Sequence, residues 1–222
     1  MSLEVIELEA SAPPDASIIV LHGLGADGDD FVPVAQQWDL SAVAKVRYLF
    51  PTAPMRPVTI NGGHVMRAWY DIYGTAAGFS ATEDAQGLRQ SQALIGSLID
   101  REIERGIPAS RIVLAGFSQG CAMTLMTGLR YPQRLAGLLA MSGYLPLAAT
   151  VGAERSQANS DVPIFQAHGT HDPVIAIQRA SASRDALIGL GHTVEWHVYP
   201  MAHSVCDAEI ADMQRWLLRI LR

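Results

Sequence analysis

Only two cysteines, Cys121 and Cys206, occur among 222 residues. No disulfide framework can therefore hold the chain, and no Cys/His cluster has the spacing of a zinc site. Charge is scarce as well. Asp, Glu, Lys and Arg make up 17% of the residues, the formal net charge is −6, and no basic block stands out. Counterion-release binding to nucleic acid has nothing to drive it, and an anionic membrane surface offers no electrostatic attraction. No apolar run approaches the roughly 20 residues of a membrane span. The stretch Met1 to Glu9 is acidic and lacks the basic-then-apolar order of a secretion signal. These absences lead to the expectation of a soluble cytoplasmic protein with no nucleic-acid partner and no integral membrane association.

What is present is apolar sequence, 49% of the chain, enough for the core of one large domain over residues 1–222. Strand-like runs alternate with helical ones. Strands are expected at 5–8, 17–22, 46–50 (ended by Pro51), 112–115, 135–141, 163–168 and 193–199. The last of these alternates as an edge strand does. Ala85, Leu88, Ile95, Leu98, Ile99 and Ile103 share one arc of a helical wheel, so 83–105 reads as an amphipathic helix stopped by Gly106 and Pro108. Further helices are expected near 177–190 and 205–221. This alternation predicts an α/β fold, a mostly parallel central sheet with helices on both faces and chemistry beyond the carboxyl ends of the strands. Residues 61–82 break the pattern. They hold four glycines along with Met66, Trp69, Tyr70 and Tyr73, and read as an irregular loop packed over the active site.

The sharpest signal is Gly116-Phe117-Ser118-Gln119-Gly120. It follows a β-like run and precedes an apolar segment suited to a buried helix, which is the context of a nucleophile elbow. The turn crowds the backbone, so small residues are needed two positions either side of the serine. A serine hydroxyl needs a base, and the base an orienting acid. In an elbow protein the order is serine, acid, histidine, each after a later strand. Asp172, in Gly169-Thr170-His171-Asp172-Pro173, follows the strand near 168, although an Asx-turn aspartate would read the same way. His203 follows the strand at 193–199, and His171 is its main rival. Two N–H groups must face the developing oxyanion. Gln119, next after the serine, supplies one. Leu24, in the glycine-rich loop His22 to Gly28, supplies the other. A phosphate cradle is the competing reading of that loop, but it lacks the Walker lysine and the dinucleotide spacing.

His22-Gly23-Leu24-Gly25-Ala26-Asp27-Gly28, Phe50-Pro51-Thr52-Ala53-Pro54, the elbow, His168 to Val174 and Met201-Ala202-His203 together resemble the phospholipase/carboxylesterase family, over about residues 15–219. The resemblance implies the α/β-hydrolase fold without a large cap domain, Ser118, Asp172 and His203 as the triad, and Leu24 and Gln119 as oxyanion donors. It implies that Asn61-Gly62-Gly63 and Met66-Arg67-Ala68-Trp69-Tyr70-Asp71-Ile72 form the loop lining an acyl pocket, with Met66 and Trp69 as its contacts and Val174 and Ile175 as further ones, although Trp69 reads equally well as a core residue. It implies a serine carboxylesterase acting on a small-molecule ester or thioester of short-to-medium acyl chain, with no metal or organic cofactor. An acyl-protein thioesterase or lysophospholipase is the alternative within enzymes, and a non-catalytic ligand-binding protein of the same fold the alternative outside them. A homodimer is left open.

Overall fold

Apolar residues on alternate positions of the central strands face two separate cores. The computed structural model describes residues 3–9, 13–75, 78–80 and 82–222. In β2 (Ala16–Leu21), Ile19 and Leu21 enter one core while Ile18 and Val20 enter the other. The same split recurs in β8 (Ile112–Phe117) and β9 (Gly137–Met141). Strands apolar on both faces must be covered on both.

The seven-stranded sheet is completed by β1 (Glu4–Leu8), β3 (Val46–Thr52), β10 (Ile164–Gly169) and β11 (Val194–Tyr199), in the order β1-β3-β2-β8-β9-β10-β11. Only β1 runs antiparallel. One face carries apolar residues of α2 (Ala85–Glu104), α3 (Gln119–Gly128), α4 (Ala148–Glu154) and α5 (Ile177–Gly189). The other carries those of α1 (Val32–Ala35) and α6 (Asp207–Ile220), with Met213, Trp216 and Leu217 buried. No large cap domain is added to this α/β frame.

Two local expectations need correction. Pro51 does not end β3, which continues to Thr52. Its register with β2 stops at Leu49, and beyond that β1 alone is its neighbour, so a proline there removes no bond from a central ladder. Residues 61–82 are not wholly irregular either. β5 (His64–Arg67) pairs antiparallel with β4 (Met55–Val58), and β6 (Gly74–Thr75) with β7 (Gly78–Phe79). Residues 76, 77 and 81 of that segment lie outside the described residues.

Topology decides what meets at the carboxyl rim. β2 and β8 are neighbours, so the glycine-rich loop after β2 lies beside the elbow after β8. β10 and β11 are neighbours, so the loops holding Asp172 and His203 adjoin each other.

Candidate active site

Ser118 joins β8 to α3 with φ 57° and ψ −115°, in the left-handed region. That conformation costs a non-glycine residue on the order of 1–3 kcal/mol and persists only where surroundings impose it. Here they do. The Ser118 N–H donates to the Met141 carbonyl at 2.9 Å. A Cβ at Gly120 would collide with the Leu21 carbonyl, and one at Gly116 with the carbonyl of Gly120. The two glycines flanking the serine are thus required by close approach of main chain, as the elbow predicts.

The Ser118 hydroxyl lies 2.9 Å from His203 Nε2, and His203 Nδ1 lies 2.6 Å from Asp172 Oδ2. A carboxylate only accepts, so Nδ1–H donates to Asp172 and Nε2 is left to accept from the serine. The Asp172 side chain is fully buried. Its other oxygen, Oδ1, accepts from the Val174 and Ile175 N–H groups at 2.8 and 2.9 Å. Asp172 is therefore an Asx-turn residue and a histidine partner at once, one oxygen serving each purpose. His168, buried behind it, donates from Nε2 to the Ile175 carbonyl at 2.8 Å and lies 3.3 Å from Asp172 Oδ2. The ring of Phe117 packs on His203 with centroids 4.8 Å apart. His171, the rival base, is exposed and faces Thr170 instead.

An apolar cavity of about 180 Å³ opens beside Ser118, bounded by Leu24, Ile60, Ile72, Gln119, Val174 and Ile175, with Tyr70, Tyr144 and Asn61 completing it. Leu24 and Gln119, the expected oxyanion donors, and Val174 and Ile175, the expected acyl contacts, are all brought to it. Val174 is 49% exposed and stands at the mouth, whereas Ile175 is buried.

Met66 and Trp69 are not among its lining residues, which corrects the expectation for both. Trp69 has no exposed surface. Its indole N–H donates to the His22 carbonyl at 2.9 Å, and its main-chain N–H donates to Gln119 Oε1 at 2.8 Å. Gln119 Nε2 in turn donates to the Tyr70 carbonyl at 2.8 Å. The Gln119 side chain thus fastens residues 69–70 beneath the elbow. Trp69 supports the cavity from behind, and its neighbour Tyr70 is one of the residues that line it. Met66 instead accepts at its sulfur from Asn61 Nδ2.

His22 has a comparable supporting place. Its Nε2 accepts from the Ala53 N–H at 2.9 Å, so that nitrogen is bare, and Nδ1–H donates to the Gly23 carbonyl at 2.7 Å. Burial holds its pKa below the usual imidazole range. A neutral ring therefore anchors the start of the loop that carries Leu24.

The model of the phospholipase/carboxylesterase family matches residues 3–221. The chain belongs to that family. Acyl-protein thioesterase 1 of Yarrowia lipolytica is 38% identical to it over 216 residues, 96% of this chain and 95% of the relative. Among solved structures, SOBER1 of Arabidopsis thaliana superposes with a TM-score of 0.87 at 31% identity, covering 93% of this chain and 99% of that one. Acyl-protein thioesterase 2 of Zea mays does so with a TM-score of 0.86 at 26% identity, over 99% of each chain. Membership makes the chain a hydrolase of the α/β-hydrolase fold. No helix among the described residues is long and apolar enough to cross a membrane.

Asn61, Tyr70 and Ile72 of the cavity fall within the stretch that the resemblance assigns to the pocket loop, whereas sequence reasoning missed Ile60 and Tyr144. A signal existed for Tyr144. It lies three residues past the end of β9, on the same carboxyl rim that holds the triad.

Proposed function

We propose that this family member is a serine hydrolase that cleaves acyl thioesters as an acyl-protein thioesterase does, with short-to-medium carboxylic esters as its second substrate class. The observation that carries the reading is the unbroken chain from Ser118 through His203 to Asp172, opening onto an apolar cavity. His203 Nε2 takes the hydroxyl proton as Ser118 Oγ bonds to the acyl carbon. Asp172 holds the imidazole in the Nδ1–H tautomer and stabilises the imidazolium that forms. The N–H groups of Leu24 and Gln119 face the developing oxyanion. As the carbonyl re-forms, the carbon–sulfur or carbon–oxygen bond breaks and His203 gives its proton to the departing thiol or alcohol. Water then attacks the acyl-serine by the same route, releasing acid and restoring the hydroxyl. The route draws only on side chains and main-chain N–H groups.

The thioester preference is supported by the curated relatives, which carry the name acyl-protein thioesterase at 35–40% identity. Chemistry is compatible with it. A thiol of pKa about 8.5 leaves with far less help from a general acid than an alcohol does. Matched thioesters and oxygen esters of the same acyl chains test the proposal through their kcat/KM ratio. A ratio of ten or more in favour of the thioester is expected, and a ratio reversed in favour of the ester would return the protein to the carboxylesterases. Fluorophosphonate labelling that vanishes in Ser118→Ala is expected of the enzyme. A wild-type protein that stays unlabelled would instead be a ligand-binding member of the fold.

A further inference from the structure

We infer that Tyr144 is the residue that limits acyl-chain length, a single aromatic wall between the cavity beside Ser118 and a groove on the outer surface. This inference rests on the acyl-hydrolase reading above. Tyr144 lines the inner cavity, and it also lines the surface groove that runs between α4 and α5 past Ala148, Ala182 and Ala186. Arg179, in the first turn of α5, lines the outer groove and not the inner cavity. Its guanidinium carbon stands 3.4 Å from the centroid of the Tyr144 ring. The order from inside to outside is therefore cavity, phenol ring, guanidinium, groove.

The wall is held in place on three sides. The Tyr144 hydroxyl hydrogen-bonds that of Tyr70 at 2.8 Å, and Tyr70 is itself fastened through its carbonyl to Gln119. The Leu145 N–H donates to Ser183 Oγ at 2.8 Å, and that hydroxyl donates to the Arg179 carbonyl at 2.9 Å, tying the loop after β9 to α5. Arg179 stacks on the outer face of the ring, a cation–π contact that favours the closed position. Leu24, Ile60, Ile72, Val174 and Ile175 give the inner cavity a mainly aliphatic lining, with Asn61 and Gln119 as its polar members beside the serine and the two phenols. A chain one methylene too long must then displace a packed, hydrogen-bonded ring. Beyond the ring and the Arg179 guanidinium lies an open groove, lined by Ala148, Ala182 and Ala186 together with Leu145 and Glu83, so removing the ring gives the chain somewhere to go.

The test is a length series of acyl thioesters and p-nitrophenyl esters, from butyryl to tetradecanoyl, read as the kcat/KM ratio of each chain to butyryl. In Tyr144→Ala the ratio for dodecanoyl is expected to rise by about 10-fold or more, since a single misfit methylene is worth about 10–200-fold. Tyr144→Phe keeps the ring and is expected to keep the wild-type length profile, and Arg179→Ala is expected to lengthen it modestly. If Tyr144→Ala does not fold, as judged by its melting transition, Tyr144→Leu carries the same expectation. An unchanged profile in a folded variant without the ring overturns the inference. So does a Tyr144→Phe profile shifted as far as that of Tyr144→Ala, because the hydroxyl bond rather than the ring would then be the barrier. Failure of the underlying reading looks different. In that case the wild-type protein neither hydrolyses the butyryl substrates nor reacts with the fluorophosphonate.

Discussion

Ser118 and Tyr144 face the same cavity, yet the two regions are held by different means. The triad end is built from main-chain constraint. A left-handed serine, glycines that admit close carbonyls, and an aspartate with one oxygen committed to its own turn leave each reacting atom one position. The wall end is built from side-chain packing. Phenol on phenol, guanidinium on ring and a glutamine fastening residues 69–70 hold it. At Gly116 and Gly120 a side chain would collide with main-chain carbonyls, whereas a packed wall can be moved by exchanging one side chain. A protein arranged in this way can change its substrates while keeping its reaction.

The largest expected effect is at the triad end. Ser118→Ala should lower kcat by on the order of 10⁴–10⁶ with an unchanged melting curve. Asp172→Asn should lose about 10⁴, because an amide in that place favours the wrong histidine tautomer. Steady-state kinetics with a butyryl thioester check both, and a loss below tenfold in either would remove the distinction between a constrained end and a packed one.

A buried carboxyl in α6 makes a third, pH-dependent contribution. Glu209, in the first turn of α6, has no exposed surface, and burial pushes its pKa up to about 8. The Cys206 N–H pulls the other way and does not offset it. The folded form therefore binds this proton more tightly than the unfolded chain does. The stabilisation is fully present below about pH 4.5 and is lost as pH rises to about 8. Glu209→Gln should flatten the decline of stability between those values, with a difference of a few kcal/mol across the range. Chemical denaturation at pH 5, 7 and 9 measures it, and parallel pH curves for the two proteins would refute it.

Gln119 belongs to both ends, since the proposed mechanism makes its N–H an oxyanion donor and its amide fastens Trp69 and Tyr70. Gln119→Ala leaves two buried main-chain groups without partners, each worth about 1–3 kcal/mol. A loss of about 2 kcal/mol or more is expected by urea denaturation, accompanied by a broader acyl-length profile as Tyr70 loosens. Loss of stability with no change in profile would separate the two ends after all.

The smallest effect concerns His22. Its lowered pKa means that the unfolded chain takes up the proton first, so this contribution to stability is present above about pH 6.5 and falls away on acidification. In His22→Gln the slope of stability between pH 6.5 and 5 should be shallower, as read from thermal melts at closely spaced pH values.

Legibility in the sequence followed the same division. The elbow, the Asp172 loop and the His203 loop are each short stretches at strand ends, and their residues meet because parallel strands deliver their carboxyl ends to one rim. The wheel positions of α2 and α6 were equally plain, since Leu88, Ile95 and Ile99 in one and Met213, Trp216 and Leu217 in the other repeat at helical spacing and are all buried. The cavity was not legible in this way. Trp69 and Tyr70 are adjacent aromatics with identical local credentials. Only the reach of the Gln119 amide, 49 residues away from Tyr70 in the chain, sends the first behind the wall and the second into it.

By itself the amino-acid sequence determined the alternation of strands and helices, the glycine-flanked turn at Ser118 and the order of serine, acid and base, because each is a local consequence of backbone sterics and periodicity. Tertiary structure alone decided which aromatic lines the cavity beside Ser118, which histidine is kept neutral as a loop anchor, and which side chains bound that cavity. Those outcomes depend on contacts between distant segments, and no spacing along one chain encodes which side of a packed ring will meet a cavity.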